Sequence, residues 1–268
     1  MASSTSGNST GNNDMVIMPS GGDGVLDAAS FQQNNLKFRP PKRNSQGGYT
    51  VYTYYDGLPY PGTSYVQGPA IRCPFGVSTN LNDSEDKQPR YAVEGSLDDV
   101  ENNADMRNFV NFINSYDDAV VDGATVNCQK WFGKSIPKEA IEQLVRRNVR
   151  VSKNKDYSDT IRMRLMQNNG KFAATLYDLN EKEISWDRVK SNSVIIPMLA
   201  AKSIWFVNKM FGVTWEIDHA VLVKEGGRTG FTRCAIKIPK SLTVENSEEA
   251  DQGVVSATEV SEAVDQTV

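Results

Sequence analysis

One stretch near the middle constrains the chain more than any other. Met106, Phe109, Val110, Ile113, Tyr116, Val120, Ala124, Cys128 and Trp131 recur three and four residues apart, while the apolar runs on either side alternate every second residue. The first spacing draws one stripe along an α-helix; the second draws one face of a strand. A single long amphipathic helix inside a β-rich chain points to an antiparallel sheet that the helix covers, rather than to a parallel α/β sheet. Gly123 is expected to bend that helix.

The strands can be placed by the same alternation. Tyr49–Tyr55 is an aromatic and β-branched run bounded by Gly48 and by Asp56-Gly57. Further strands are expected over 64–76, 90–97 and 160–166. Asn168-Asn169-Gly170 then makes a tight turn into 172–177, because Asn-Gly tolerates positive φ. Residues 194–208 and 213–224 read as a hairpin around Met210-Phe211-Gly212, and 233–238 closes the sheet. Before the strands resume, Ser135, Pro137 and Glu139 give the N-cap, first-turn proline and first-turn acid of a short helix to about Arg147. Five or more antiparallel strands with one helical interruption suit an OB-like barrel.

Charge divides the chain into three parts. Of 33 acids, three precede residue 37 and seven follow residue 240, which leaves 23 acids against all 29 bases in between. The body is therefore mildly basic although the whole chain carries a net charge of -4. Residues 1–48 are rich in Ser, Asn and Gly, with the cluster Lys37, Arg39, Lys42 and Arg43, and are expected to form a disordered arm. Residues 241–268 are expected to form an acidic disordered tail. Residues 49–240 suffice for one domain with a sizeable core.

The densest positive charge is Arg146, Arg147, Arg150, Lys153 and Lys155, five bases in ten residues without an acid. Arg162 and Arg164 carry the field onto a strand, where their spacing of two puts both on the face opposite Ile161, Met163 and Leu165. Tyr157 stands between the two groups. Arg and Lys neutralise phosphates while an aromatic ring receives an unstacked base, so the pattern fits a single-stranded nucleic acid. A lone charge run is ordinarily a solvated face; continuity from loop to strand sets binding beside that reading. Lys130-Trp-Phe-Gly-Lys134 gives Trp131 to the core and offers Lys130 and Lys134 to solvent or phosphate. Trp205, on a strand apolar on both faces, is expected in the core.

Catalytic signals are few. A single histidine, His219, excludes multi-histidine metal sites, and Cys73, Cys128 and Cys234 form neither a zinc knuckle nor a disulfide framework. Gly226-Gly-Arg-Thr-Gly230 lacks the lysine and following helix of a phosphate-binding loop. Asp98-Asp99 and Asp117-Asp118 read as solvated or capping carboxylates. With no basic, apolar leader at the N-terminus, an intracellular, non-secreted protein is expected.

Three runs carry a resemblance: Gln67-Gly-Pro-Ala-Ile-Arg-Cys-Pro-Phe-Gly-Val-Ser78, Lys130-Trp-Phe-Gly-Lys134 and Ile204-Trp-Phe-Val-Asn-Lys-Met-Phe-Gly-Val-Thr-Trp215. Their order along the chain resembles the single-stranded-DNA-binding proteins of nucleocytoplasmic large DNA viruses, of the phycodnavirus and mimivirus type. That family is similar to the OB-fold single-stranded-DNA-binding proteins of short-tailed phages. The resemblance implies a β-rich, OB-fold-like antiparallel barrel with a long inserted helix, whose basic groove holds single-stranded DNA without sequence preference. It also implies an acidic tail that competes for the groove and recruits replication proteins. The phage tails end in an aromatic residue, whereas this chain has none after Phe231.

Taken together, these readings give a non-enzymatic DNA-binding protein of viral replication, recombination or repair, acting in the host cytoplasm or nucleus. The expected nucleic-acid contacts are Arg72, Lys130, Lys134, Arg150, Lys153, Lys155, Tyr157, Arg162, Arg164 and Lys171, with Tyr52 or Tyr54 as further stacking rings. No cofactor, metal or membrane partner is expected; RNA as a ligand and a homodimer stay open. The rival reading is a virion structural or assembly protein with a β-rich core.

Overall fold

The computed structural model describes residues 24–43, 48–58, 63–80 and 89–227, which lie within one unit. The strand expected over 233–238 and the acidic tail lie outside the described residues.

Strands form within the segment read as a disordered arm. β1 (Val25–Leu26), β2 (Leu36–Phe38) and β3 (Lys42–Arg43) precede Tyr49. Leu26 and Leu36 supply the reason, since both are buried in the main core. The aromatic run that follows divides into β4 (Tyr49–Val51) and β5 (Thr53–Tyr55), because β5 pairs with β2 while β4 pairs elsewhere. β6 (Ser64–Gln67), β7 (Ile71–Cys73), β8 (Val77–Asn80) and β9 (Arg90–Ser96) come next.

The helical stripe forms α1 (Ala104–Val126) and α2 (Cys128–Phe132). Asn103 caps α1 by accepting from the backbone N–H groups of Asp105 and Met106 at 3.0 and 3.1 Å. The break falls at Asn127, not at Gly123, whose missing side chain instead admits the Phe38 ring. On the buried stripe, Phe112 and Tyr116 meet Trp215 with centroids 5.8 and 5.0 Å apart. Each such burial is worth about 1.5–3 kcal/mol. Tyr116 also shares a buried 2.7 Å hydrogen bond with Thr53, which fixes β5 to the helix. α3 (Lys138–Leu144) is shorter than expected: Pro137 occupies the cap position without a side-chain bond, and Val145 leaves the helix to bridge Phe211.

β10 (Val149–Arg150) and β11 (Thr160–Leu165) flank an exposed loop. β12 (Gln167–Asn168) and β13 (Lys171–Phe172) form the expected hairpin, with Asn169 and Gly170 at φ 50° and 79°. β14 (Thr175–Tyr177) and β15 (Glu183–Ile184) follow. β16 (Ser193–Val207) and β17 (Met210–Lys224) make a long hairpin. Its turn is Asn208-Lys209, φ 51° and 67°, two residues before the expected Met210-Phe211-Gly212. Two successive positive φ values match the twist of the strands they join.

Five strands close into a ring in the order β7, β9, β11, β17, β16 and back to β7. All the pairings are antiparallel except β11 with β17. This is the connectivity of an OB-fold barrel, and α1 is inserted between its second and third strands. Shifts of register at 194/195, 198/199 and 201/203 bend β16, which meets β7, then β6, then β4 along its length. Ile71, Cys73, Val93, Ile161, Met163, Leu165, Ile195, Leu199 and Ile217 are buried in the core.

Candidate nucleic-acid interface

The pleat of the second and third barrel strands decides which charges face out. On β11, burial of Ile161, Met163 and Leu165 turns Arg162 and Arg164 outward. Register places Arg162 opposite Glu94, Thr160 opposite Ser96 and Arg150 opposite Thr160, so three arginines from two strands share one face. Glu94 serves two of them, with its Oε1 3.1 Å from Arg150 and 3.7 Å from Arg162. Arg164 stands in register with Glu216, which also lies 3.8 Å from Lys202. Burial raises the Glu216 carboxyl above its ordinary range despite the opposing pull of Lys202 and Arg164. With Asp218 also acting on Glu216, four bases against three acids leave the face positive.

Residues 151–159 fold onto themselves at the edge of this face. The Ser152 N–H donates to Asp159 at 3.0 Å, the Ser152 hydroxyl to the Asn154 carbonyl at 2.8 Å and the Tyr157 N–H to the same carbonyl at 3.1 Å. The loop thus projects Lys153, Lys155 and Tyr157, which is 70 % exposed. Neither lysine makes an ion pair among the described residues.

Two contacts with α1 fasten the start of the basic segment. Asp117 accepts from the Asn148 N–H at 2.8 Å and from its side-chain amide at 2.7 Å. Burial pushes the Asp117 carboxyl up to about 6, only partly offset by those two bonds. Arg147 pairs with Asp118 at 2.7 Å. Asp117 is buried, not the solvated or capping carboxylate expected; its place on the helical stripe, one residue after Tyr116, was the available signal.

The remaining expected contacts divide. Arg72 has its donors on protein acceptors: Asp98 at 2.8 and 3.0 Å, Ser96 at 3.0 Å and Asn192 at 3.4 Å. Burial alone would raise the Asp98 carboxyl, but bonds from Arg72, Ser158 and Ser96 bring it down to about 2. Lys171 is exposed on the β12–β13 hairpin, which continues from the end of β11 away from the 151–159 loop. Lys130 and Lys134 are exposed beside Trp131, which is buried against Phe38 and Phe206 as expected. The Trp131 that they flank packs against β2 and the far end of β16.

One aromatic was missed. Phe75 is 65 % exposed on the turn from β7 to β8, where Pro74 and Gly76 flank it and make that turn readable from sequence. Asn192 donates its N–H to the Cys73 carbonyl at 2.8 Å and also meets Arg72, so the Phe75 turn and the Arg72–Asp98 pair share an anchor. In an OB barrel, the face of the second and third strands and the loop after the first strand are the elements that hold oligonucleotides. Among the described residues, no cluster of three or more His, Cys, Asp or Glu could hold a metal ion, and no helix is long and apolar enough to cross a membrane.

A β-rich barrel with a basic, aromatic-edged outer face is the class of protein this chain defines. Residues 94–228, half of the chain, match a family of unknown function, DUF5871, and the chain belongs to it. The match starts in β9 and covers the inserted helix, the arginine strand and the long hairpin. No curated protein matches the sequence. Among solved structures, the chain is similar to the single-stranded DNA-binding protein of bacteriophage Enc34 in complex with single-stranded DNA, at 9% identity and a TM-score of 0.42 over 72% of this chain and 99% of that one. It is also similar to gp2.5, a single-stranded DNA-binding protein of bacteriophage T7, at 12% identity and a TM-score of 0.43 over 64% of this chain and 92% of that one. At such distances no residue is carried over from either.

Proposed function

We propose that this protein binds single-stranded DNA without sequence preference along the outer face of β9 and β11. The observation that carries the reading is the junction of that arginine face with the 151–159 loop, where a 70 % exposed Tyr157 stands between Lys153, Lys155 and Arg162 in the chain. Cations there take phosphates and the ring takes a base, a combination that tolerates any sequence because every base has a π face. Phe75 offers a second exposed ring beyond the Arg72–Asp98 pair. Arg72 itself holds the barrel together more than it reaches for DNA.

The finer reading is a role in viral DNA replication, recombination or repair, with the acidic residues 241–268 competing for the basic face and recruiting partner proteins. The order of the three sequence runs supports the viral assignment, and the seven acids without a base support the competition. Titration of labelled single-stranded and duplex DNA across a salt series tests the main claim. Engagement of four to six phosphates gives a log-log slope of roughly -3 to -4 for single strands. A flat salt response, or equal affinity for duplex, refutes it.

A further inference from the structure

A second surface lies beside the basic segment and joins one expected ring, Tyr52, to three residues outside the expected site, Lys42, Trp205 and Arg146. In-register residues of paired strands point to the same face. Thr50 is opposite Lys42 on one side and Trp205 on the other, and Trp205 is opposite Gly212. Because Val51 and Ile204 are fully buried, this row of four faces outward. Lys42 stands over the Tyr52 ring at 5.9 Å, which adds an aromatic at the outer end, 43 % exposed.

Arg146 completes the other end. Its N–H donates to the Phe211 carbonyl at 2.7 Å, which lays its backbone across Gly212. A Cβ at position 212 would come within 2.8 Å of the Arg146 carbonyl oxygen and 3.0 Å of the Trp205 ring. Glycine here is what lets indole and arginine close over the strand. Trp205 is partly exposed, against the expectation that it belongs to the core, while Trp131, Trp186 and Trp215 are at most 7% exposed. Lys42 and Arg146 are exposed and make no ion pair among the described residues. Three strand spacings separate Lys42 from Gly212, or about 15 Å. Arg146 is also the first residue of the run that continues to Arg150, Lys153 and Lys155.

We infer that Lys42, Tyr52, Trp205 and Arg146 form a second lane for the same single-stranded DNA, taking unstacked bases on Tyr52 and Trp205 and phosphates on the two flanking cations. The inference rests on the proposed function: the lane extends the path of a strand already held by the β9–β11 face. It lies outside the region that matches the family in its Lys42, Thr50 and Tyr52 members, so it is a feature to which this chain's N-terminal segment contributes. Alternating cations and rings, with no acid between Asp27 and Asp56, fit a polyanion with bases rather than an apolar protein surface.

Tryptophan emission gives a direct test, because a base stacked on an indole quenches it and Trp205 is the one partly exposed tryptophan. Oligothymidylates of about 30 and about 8 nucleotides, spanning and falling short of an extended site, serve as probes. The expected result is quenching by the long probe in the unaltered protein. Trp205→Phe should abolish the quenching while anisotropy still registers binding and the three buried tryptophans keep their folded emission. Lys42→Gln with Arg146→Gln should weaken the long probe roughly tenfold, spare the short one, and flatten the salt slope by about 1.4. Binding by anisotropy without quenching, or quenching that persists in Trp205→Phe, overturns the lane and leaves the β9–β11 face standing. No anisotropy change in the unaltered protein overturns both.

Discussion

Arg72 and Asp98 meet through two parallel bonds, Nε to Oδ2 at 2.8 Å and Nη2 to Oδ1 at 3.0 Å, between the first barrel strand and the residues just after the second. The pair reinforces a joint where β7 and β9 share one registered pair, Arg72 with Ser96. Arg72→Ala should lower stability by about 1–2 kcal/mol in urea unfolding, after discounting for a side chain that is 41 % exposed. Single-stranded DNA affinity per folded molecule should change little. A large loss of affinity with unchanged stability would make Arg72 a phosphate contact instead.

Arg162→Ala with Arg164→Ala should flatten the salt slope of binding by about 1.4, the equivalent of two phosphates on a single strand. Both side chains point away from the barrel interior, so circular dichroism and thermal midpoint should hold. Unfolding of the double variant would assign the arginines to structure.

Tyr157→Ala should weaken single-stranded DNA binding roughly 5- to 150-fold, the range of one lost base stack of about 1–3 kcal/mol, and Tyr157→Phe should restore most of it. Equal affinity in all three proteins would remove the ring from the interface.

Protonation of Asp117 sets an acid-side signature. The carboxyl titrates near 6 in the folded chain against an ordinary 3.8, so the folded state binds the extra proton between those values. Stability should therefore rise as pH falls from about 7 to about 4, by at most about 3 kcal/mol. Below that, protonation of Asp98, whose folded value is lowered to about 2, should reverse the trend. Thermal midpoints across this range check both limbs; Asp117→Asn should lose the upper one.

Truncation after Lys240 changes the formal charge from -4 to +3, since the removed segment carries seven acids and no base. If the tail competes for the basic face, affinity at low salt should increase, and the gain should fade as salt screens the charges. Identical binding curves at low ionic strength would refute the competition.

The sequence revealed alternation and little of what alternation packs against. Ile161, Met163 and Leu165 announced both the strand and its arginine face, because a period of two is unambiguous when large apolar and charged residues trade places. Trp205 misled because its outward, partly exposed place follows from its register with Thr50 and Gly212, which lie on segments distant in sequence. Leu26 and Leu36 were lost in a polar background: two leucines make no period, yet both are buried in the main core. The hairpin turn was misplaced by two residues because Asn208 and Lys209 adopt positive φ without the glycine that usually marks it.

The ring of five strands has two narrow seams, Arg72 with Ser96 and the parallel pair Arg164 with Glu216, while β9 with β11 and β16 with β17 are zipped over many residues. It therefore divides into two extensively paired leaves that meet at two narrow hinges, and each hinge carries an arginine. Native-state breathing should begin there, so backbone amides beside both seams should exchange hydrogen before those within either leaf. A DNA strand lying over Arg162 and Arg164 would touch one hinge directly, and its arrival should slow exchange at that seam more than at the other.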